Sequence, residues 1–131
     1  MSLREFKVFG DPVPQGRGRI IKRGPHYGIA DPEKSRVYKE QLWIVGQKHR
    51  IDPLPTGPLF LELVFEIKRP KSAKKGSKWR DKKPDLDNLC KGVMDAFKGV
   101  LWHDDGQIAY LTCGKVHSDS PGVTVKVGRL E

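Results

Sequence analysis

Two aspartates one residue apart open the segment KPDLDNLCKGVMDAFKG, which runs from residue 83 to residue 99. Asp85 and Asp87 directly follow the most lysine-rich part of the chain, and a second acidic pair, Asp104 and Asp105, lies downstream. Clustered carboxylates repel one another unless one is protonated or a cation is bound. Because oxygen ligands suit hard divalent ions, the pattern predicts a site for Mg²⁺, with Mn²⁺ as a substitute.

Each of these residues also has a purely structural interpretation. Asp85 follows Pro84 at the start of a predicted helix and could cap it, contributing about 1 kcal/mol. Asp87 could complement the helix dipole, and Lys91, four residues later, could form a surface ion pair with it worth about 0.3–0.5 kcal/mol. Helical spacing places Asp87 and Lys91 along the edge of the apolar stripe, where the helix meets its neighbours, and this favours a functional role.

The later acidic pair is expected to approach the helix start. A short strand is predicted over VLWHDD, residues 100–105, and a strand running back along the helix would bring its far end beside Asp85 and Asp87. Successive strand side chains face opposite ways, so one of Asp104 and Asp105 can join them, and the spacing does not choose between the two. Such a site suits phosphodiester hydrolysis, with Lys91 offsetting negative charge in the transition state.

The positive charge of the chain points to nucleic acid. Lys and Arg number 25 against 16 Asp and Glu, a formal charge of +9, and nucleic acid is the commonest partner of such a surplus. The segment KRPKSAKKGSKWRDKK, residues 68–83, holds nine basic residues and one acid, so a loop that contacts phosphates is predicted. The predicted DNA contacts are Arg17, Arg19, Lys74, Lys75, Lys78, Trp79, Arg80, Lys82 and Lys83, with Trp79 stacking on bases.

Several other classes of function are disfavoured. The GxxxxGK[ST] motif does not occur, so no nucleotide cofactor is expected. Cys90 lies within the apolar stripe of the predicted helix and the sequence has no CxxC pair. A zinc site is therefore not predicted from Cys90, His103, Cys113 and His117. Two cysteines do not make a disulfide framework, which favours the cytoplasm. The sequence has no apolar run of membrane-spanning length, so no membrane partner is expected.

The length of 131 residues predicts one domain over residues 1–131. Strands are predicted at 3–9, 58–67, 107–117 and 122–130, with a short one near 19–22. Helices are predicted over 32–48, with Val37, Leu42, Ile44 and Val45 as a loose apolar face, and over 85–98, ending at Gly99. A hairpin turn is predicted at Asp105-Gly106. This order predicts an α/β or α+β fold, in which two main helices pack on a single mixed β-sheet.

Two segments resemble a known family. KPDLDNLCKGVMDAFKGVLWHDDGQI, residues 83–108, resembles the signature of the RusA family of crossover junction endodeoxyribonucleases, the Holliday junction resolvases of bacteria and prophages. That signature is an Asp-x-Asp-Asn-x-x-Lys helix followed by Asp-Asp-x-Gln. FKVFGDPVPQGRGR, residues 6–19, resembles the family's N-terminal strand and arginine loop.

The resemblance implies a RusA-like homodimer that resolves four-way DNA junctions with Mg²⁺, by paired symmetric nicks, in DNA recombination and repair. It assigns metal ligation to Asp85, Asp87 and Asp105, and catalytic support to Lys91. Two other functions stay open from the residues themselves. One is a non-catalytic nucleic-acid-binding module that uses the acids as caps and ion pairs, and the other is a metal-dependent nuclease of broader branched-DNA specificity.

Overall fold

The computed structural model describes residues 3–16, 19–30 and 33–131. The elements in chain order are β1 (Arg4–Phe9), β2 (Arg19–Arg23), β3 (His26–Ala30), α1 (Glu33–Lys48), β4 (Leu59–Lys68), α2 (Leu86–Phe97), β5 (Ile108–Ser118) and β6 (Gly122–Arg129). A single 3₁₀ turn, Asp105–Gln107, precedes β5. The prediction of an α+β fold with two helices on one mixed sheet is confirmed, and β2 and β3 form a separate hairpin. No helix in these ranges is long and apolar enough to cross a membrane.

The main sheet has the strand order β1-β6-β4-β5, so β5 forms one edge. β6 pairs antiparallel with both β1 and β4, whereas β4 and β5 run parallel, with Leu63 opposite Cys113. Parallel neighbours require a crossover connection, and α2 lies within it. The crossover contains α2 and all four aspartates of the predicted acidic pairs, namely Asp85, Asp87, Asp104 and Asp105.

The core lies between this face and the two helices. Alternate residues of β4 point into it, and the fully buried ones are Leu59, Leu61, Leu63 and Phe65. The intervening positions carry Glu62 and Glu66, which are partly exposed on the opposite face and form ion pairs with Lys126 and Lys7. This alternation is what a half-buried sheet requires, and it explains why β4 was readily predicted.

Helix α2 buries the stripe that its sequence predicts. Leu89, Val93 and Phe97 are fully buried, and Cys90 is nearly so. The helix ends at Phe97 with Lys98 as its C-cap, and Gly99 follows with a φ of +77°, in the left-handed region that glycine adopts without steric cost. The apolar stripe of α2 and the approximate position of its C-terminal end were therefore both predictable from local sequence signals.

The apolar face predicted for helix α1 is confirmed at Leu42 and at Val45, which packs against the core, but it is wrong at the other two positions. The buried residues of α1 are Ser35, Tyr38, Leu42 and Gly46, whereas Val37 and Ile44 are exposed. Gly46 explains why this face of α1 is the buried one, because a Cβ at that position would lie 3.0 Å from the ring of Phe97. The close approach of α1 to α2 thus depends on a small residue, and the apolar residues of α1 did not reveal it.

The predicted strand at residues 100–105 is wrong. Val100, Leu101 and Trp102 are consecutive and all buried, which a half-exposed strand does not allow. The chain instead turns tightly, with the N–H groups of Val100 and Leu101 both donating to the carbonyl of Phe97 at 2.9 Å. The hairpin predicted at Asp105-Gly106 is also wrong, because the 3₁₀ turn there leads into β5, which runs parallel to β4.

Candidate active site

A groove of about 620 Å³ runs between α2 and β5. It has an apolar floor with charged residues among its walls, and it is lined by Leu86, Asp87, Cys90, Lys91, Met94, Asp95, Asp105, Leu111 and Cys113. Three of the four predicted catalytic residues, Asp87, Lys91 and Asp105, therefore share one depression in the surface. Asp85, the fourth, is not among the described residues that line it.

Asp85 occupies the N-cap position of α2, but its side chain makes no capping hydrogen bond within the described ranges. Both of its carboxylate oxygens instead lie 2.9 Å from the ammonium of Lys83. This hydrogen bonding and the charge of Lys83 lower the pKa of Asp85, with a smaller contribution from Lys115. Asp85 is therefore an exposed carboxylate that pairs with a lysine ammonium instead of capping the helix.

A hydrogen bond from a buried tryptophan orients the carboxylate of Asp105. The indole N–H of Trp102 donates a hydrogen bond of 2.8 Å to its Oδ1. Asp104 has a different environment, because its side chain is 70% exposed and lies 3.7 Å from the ammonium of Lys98. The structure thus separates two adjacent acids whose spacing did not distinguish them, and Asp105 is the one that lines the groove.

The three predicted metal ligands do not meet at one point of a single chain. Asp85 lies near Lys115, in the second half of β5, whereas Asp105 directly precedes that strand. Among residues 3–16, 19–30 and 33–131, no group of three His, Cys, Asp or Glu side chains is placed to hold a metal ion. The expected convergence depended on the strand at 100–105, which the structure replaces with a turn.

Asp85 and Asp87 nevertheless fit a hard cation by their chemistry. They lie two residues apart at the start of α2, both are exposed, and both offer carboxylate oxygens. Oxygen donors of this kind are those that Mg²⁺ and Mn²⁺ prefer.

The floor of the groove includes the thiol of Cys90. Burial raises the pKa of this thiol, and a hydrogen bond with Cys113 and the charge of Asp87 add to the effect.

Part of the predicted basic loop is fastened to the edge of β5. Trp79 forms an antiparallel bridge with Val116. The N–H of Arg80 donates to the carbonyl of Lys115 at 3.1 Å, and the N–H of His117 donates to the carbonyl of Lys78 at 2.9 Å. Residues 78–80 thus behave as a short extra strand. The loop prediction holds for residues 70–77, which Arg69 closes with a 2.7 Å hydrogen bond to the carbonyl of Ser77.

Trp79 lies on the side of the sheet away from the groove. A Cβ placed at Gly114 would be 3.5 Å from the Trp79 ring, and Gly114 alternates with Cys113, whose side chain lines the groove. The ring is 65% exposed, and the ammonium of Lys78 lies 4.9 Å from its centroid. The basic segment therefore passes around the edge of β5, from Trp79 on one face to Asp85 on the other.

The remaining predicted DNA contacts are distributed around this edge. The side chains of Lys74, Lys75, Lys78, Lys82 and Lys83 are exposed. Arg80 is partly buried and donates two hydrogen bonds to the carbonyl of Lys83. Arg17 lies outside the described residues, and Arg19 begins β2. The loop before them is held against α2 by a 3.1 Å hydrogen bond from the N–H of Gln15 to the carbonyl of Asn88.

Sequence reasoning missed Trp102 and Lys115. Trp102 was assigned to a strand, and its proximity to Asp105 in sequence was the signal that could have suggested a hydrogen bond. Lys115 is one lysine within an alternating strand, and its partners lie more than 30 residues earlier in the chain. Only the fold brings these groups together.

A carboxylate-lined groove beside a basic edge defines a nuclease-like site, and comparison with known proteins identifies its family. The family described as Endodeoxyribonuclease RusA matches residues 10–128. The chain is 34% identical over 137 residues to "Uncharacterized protein YqaN" of Bacillus subtilis (strain 168), covering 97% of this chain and 96% of that protein. It is 31% identical over 124 residues to the crossover junction endodeoxyribonuclease rusA of Lactococcus phage r1t, covering 94% of each.

The chain therefore belongs to the RusA endodeoxyribonuclease family. The resemblance drawn from residues 83–108 and 6–19 is confirmed, and so is the enzyme class that it implied. The non-catalytic binding module that the residues themselves left open is disfavoured by this result.

Proposed function

We propose that this protein is a Mg²⁺-dependent resolvase of four-way DNA junctions that nicks two strands symmetrically as a homodimer, in DNA recombination and repair. The observation that carries the proposal is the groove that holds Asp87, Lys91 and Asp105 directly beside a basic segment fastened to β5. The name of the phage relative, a crossover junction endodeoxyribonuclease, supports a junction as the substrate. A soluble DNA-acting enzyme of this kind would work in the cytoplasm.

Asp85, Asp87 and Asp105 are the proposed ligands of Mg²⁺, with Mn²⁺ as a substitute. Because the described residues bring no three acids together, the proposal requires Asp105 to approach Asp85 and Asp87 when the metal and the DNA bind. A divalent cation held by them would polarise the scissile phosphate and lower the pKa of a water molecule. Lys83 orients the carboxylate of Asp85, and Trp102 orients that of Asp105. Lys83 must release Asp85 for a metal to bind, and its ammonium is then free for a DNA phosphate.

Lys91 is the proposed electrostatic catalyst. It lies on the groove wall, one helical turn after Asp87, and its side chain is exposed. An ammonium at this position offsets the negative charge that develops on the phosphate and on the leaving oxygen. It contributes no metal ligand, because a lysine ammonium has donors and no acceptor.

The basic segment is the proposed contact with the DNA backbone. Five exposed lysines, at positions 74, 75, 78, 82 and 83, flank the edge of β5, and Arg17, Arg19 and Arg80 complete the proposed set. Contacts of this kind position the substrate without reading its sequence. We expect junction affinity to fall steeply with salt, since each neutralised phosphate releases counterions.

The homodimer follows from the symmetry of the substrate. Resolution of a four-way junction requires two cuts related by a two-fold axis, and a two-fold dimer supplies two grooves with that relation. Sedimentation at micromolar concentration should give about twice the monomer mass of 14.8 kDa.

The decisive experiment compares three labelled substrates of matched sequence, namely a four-way junction, a single-strand flap and a linear duplex, with Mg²⁺ and with EDTA. We expect Mg²⁺-dependent paired nicks in the junction and little cutting of the other two. Equal cutting of junction and flap would indicate a broader branched-DNA nuclease. Binding without cleavage of any substrate would contradict the proposed function.

A further inference from the structure

Lys115, in the second half of β5, reaches beneath the basic segment. Its ammonium donates one hydrogen bond of 2.7 Å to the carbonyl of Lys82 and another of 2.8 Å to the carbonyl of Pro84. Arg80 holds the residue between them, because its guanidinium donates bonds of 2.9 Å and 2.6 Å to the carbonyl of Lys83. Basic side chains therefore bind three consecutive carbonyls immediately before Asp85.

These bonds matter because the segment forms neither helix nor strand. Residues 81–85 are bends and extended chain between the bridge at Trp79 and the first turn of α2. Irregular backbone keeps a fixed course only where its polar groups have partners. The place of Asp85 relative to β5, and so to the groove, therefore depends on the side chain of Lys115.

The contacts of Lys83 and Lys115 with this segment differ in their exposure to solvent. The side chain of Lys83, which pairs with Asp85, is 83% exposed. The hydrogen bond from Lys115 to the carbonyl of Pro84 is partly buried. The Lys115 contact is therefore the better shielded from solvent of the two.

We propose that Lys115 is a positioning residue of the active site, which fixes Asp85 by binding the carbonyls of Lys82 and Pro84 and so joins the DNA-contacting segment to the catalytic helix. The inference rests on the proposed function, because that function assigns Asp85 to the metal. Lys115 acts through the backbone and does not contact the metal or the scissile phosphate.

The test uses Lys115→Met and Lys115→Arg in the full chain. Methionine keeps an unbranched stem and removes the donors, whereas arginine keeps donors for both carbonyls. We expect Lys115→Met to weaken Mn²⁺ binding without DNA, measured by electron paramagnetic resonance, by about tenfold, as is usual when an outer-shell partner is lost. The Mg²⁺ concentration for half-maximal junction cleavage should rise by a similar factor. Lys115→Arg should keep the Mn²⁺ affinity and the Mg²⁺ requirement close to their wild-type values.

Hydrogen exchange gives a readout that does not depend on metal or activity. The amides of Arg80 and Leu89, which donate to the carbonyls of Lys115 and Asp85 at either end of the segment, should exchange faster in Lys115→Met, since local opening becomes easier when the carbonyls of Lys82 and Pro84 lose their partners. Arg80→Met, which releases the Lys83 carbonyl, should produce a smaller change in the same direction. It also serves as an independent variant if Lys115→Met fails to fold.

Lys126→Met is the matched control. Lys126 is also a strand lysine, but it lies on the opposite face of the sheet, 3.4 Å from Glu62 and 3.8 Å from Glu5. Lys126→Met should leave Mn²⁺ binding and the exchange of the Arg80 and Leu89 amides unchanged. If Lys115→Met lowers the melting temperature but leaves Mn²⁺ binding at the wild-type value, the inference is wrong. A wild-type protein that cuts no DNA would instead contradict the proposed function, while the Mn²⁺ and exchange measurements would still decide on Lys115.

Discussion

The indole N–H of Trp102 lies 2.8 Å from Oδ1 of Asp105 and ties that carboxylate to the hydrophobic core. Trp102 is fully buried, and its ring packs edge-on against Phe97 of α2 at a centroid distance of 6.2 Å. A carboxylate has a second oxygen that can accept a cation. One residue therefore serves both the packing of the helix and the orientation of an acid in the groove.

Replacing Trp102 by Phe should separate these two roles. Phenylalanine keeps most of the apolar contact and removes the donor, so we expect metal-dependent cleavage to fall by about tenfold. The free energy of unfolding should fall by about 1–3 kcal/mol through lost packing. Single-turnover cleavage and urea unfolding measure the two effects. Trp43→Phe, at an exposed site on α1, should change neither, and an unchanged cleavage rate in Trp102→Phe would show that the hydrogen bond does not orient a functional acid.

The four aspartates are predicted to differ sharply when each is changed to Asn. Asp85→Asn, Asp87→Asn and Asp105→Asn should abolish cleavage, while junction binding holds or tightens because a negative charge near phosphate is removed. Asp104→Asn should stay active, because Asp104 is exposed and pairs with Lys98. Cleavage assays and gel-shift titrations on the same junction make the comparison. Loss of activity in Asp104→Asn with activity kept in Asp105→Asn would reverse the assignment of the third ligand.

Trp79 is predicted to contact unpaired or kinked bases at the junction centre. Trp79→Ala should weaken junction binding by about 1–3 kcal/mol and leave duplex binding nearly intact, as expected for a stacking residue. The measurement is a pair of binding titrations at one salt concentration. Because the ring also covers Gly114, the melting temperature must be followed in parallel. Equal losses on both substrates, together with a large drop in melting temperature, would indicate that Trp79 only anchors the segment to β5.

His49 should make stability depend on pH. Its ring stacks on Phe6 at 4.2 Å, and burial, followed by the charges of Arg4 and Lys48, lowers its pKa below the ordinary value of 6.5. The unfolded chain therefore binds the proton more readily than the folded chain, so stability is lost as pH falls from the ordinary value towards the lowered one. Urea unfolding between pH 8 and pH 5 should show this fall. His49→Phe, which keeps the stacking and removes the titration, should show less of it, and an equal fall in both proteins would assign the effect to other groups.

Local patterns were sufficient where one face of an element is buried. The stripe of Leu89, Val93 and Phe97 predicted α2, and strict alternation predicted β4, because burial on one side imposes those periods. They failed at Val100–Trp102, where three consecutive residues are buried in a turn and resemble a strand. The parallel pairing of β4 and β5 was also missed, since it depends on the crossover through α2 and leaves no local signal.

The site was predictable in its residue types but not in its geometry. The spacing of Asp85, Asp87 and Lys91 identified a charged helix start, and the structure places Asp87, Lys91 and Asp105 in one groove. It does not bring Asp85 into the lining of that groove, and among the described residues no three acids form a group that could hold a metal ion. The bonds of Lys115 to Lys82 and Pro84 join residues distant in the chain, so only the folded structure could reveal them.

Because the basic segment is attached to β5, residues can be added to one part of it without moving Asp85 but not to the other. Residues 70–77 form a loop that Arg69 closes on itself at Ser77, so residues added near Gly76 would enlarge the loop without moving anything beyond it. Residues 78–84 are fixed at one end by the bridge to Val116 and at the other by Lys115. One residue added there would displace Asp85 by up to about 3.5 Å. A longer loop intended to contact more of the DNA should therefore be inserted before Ser77. The stretch from Lys78 to Asp85 must keep its length.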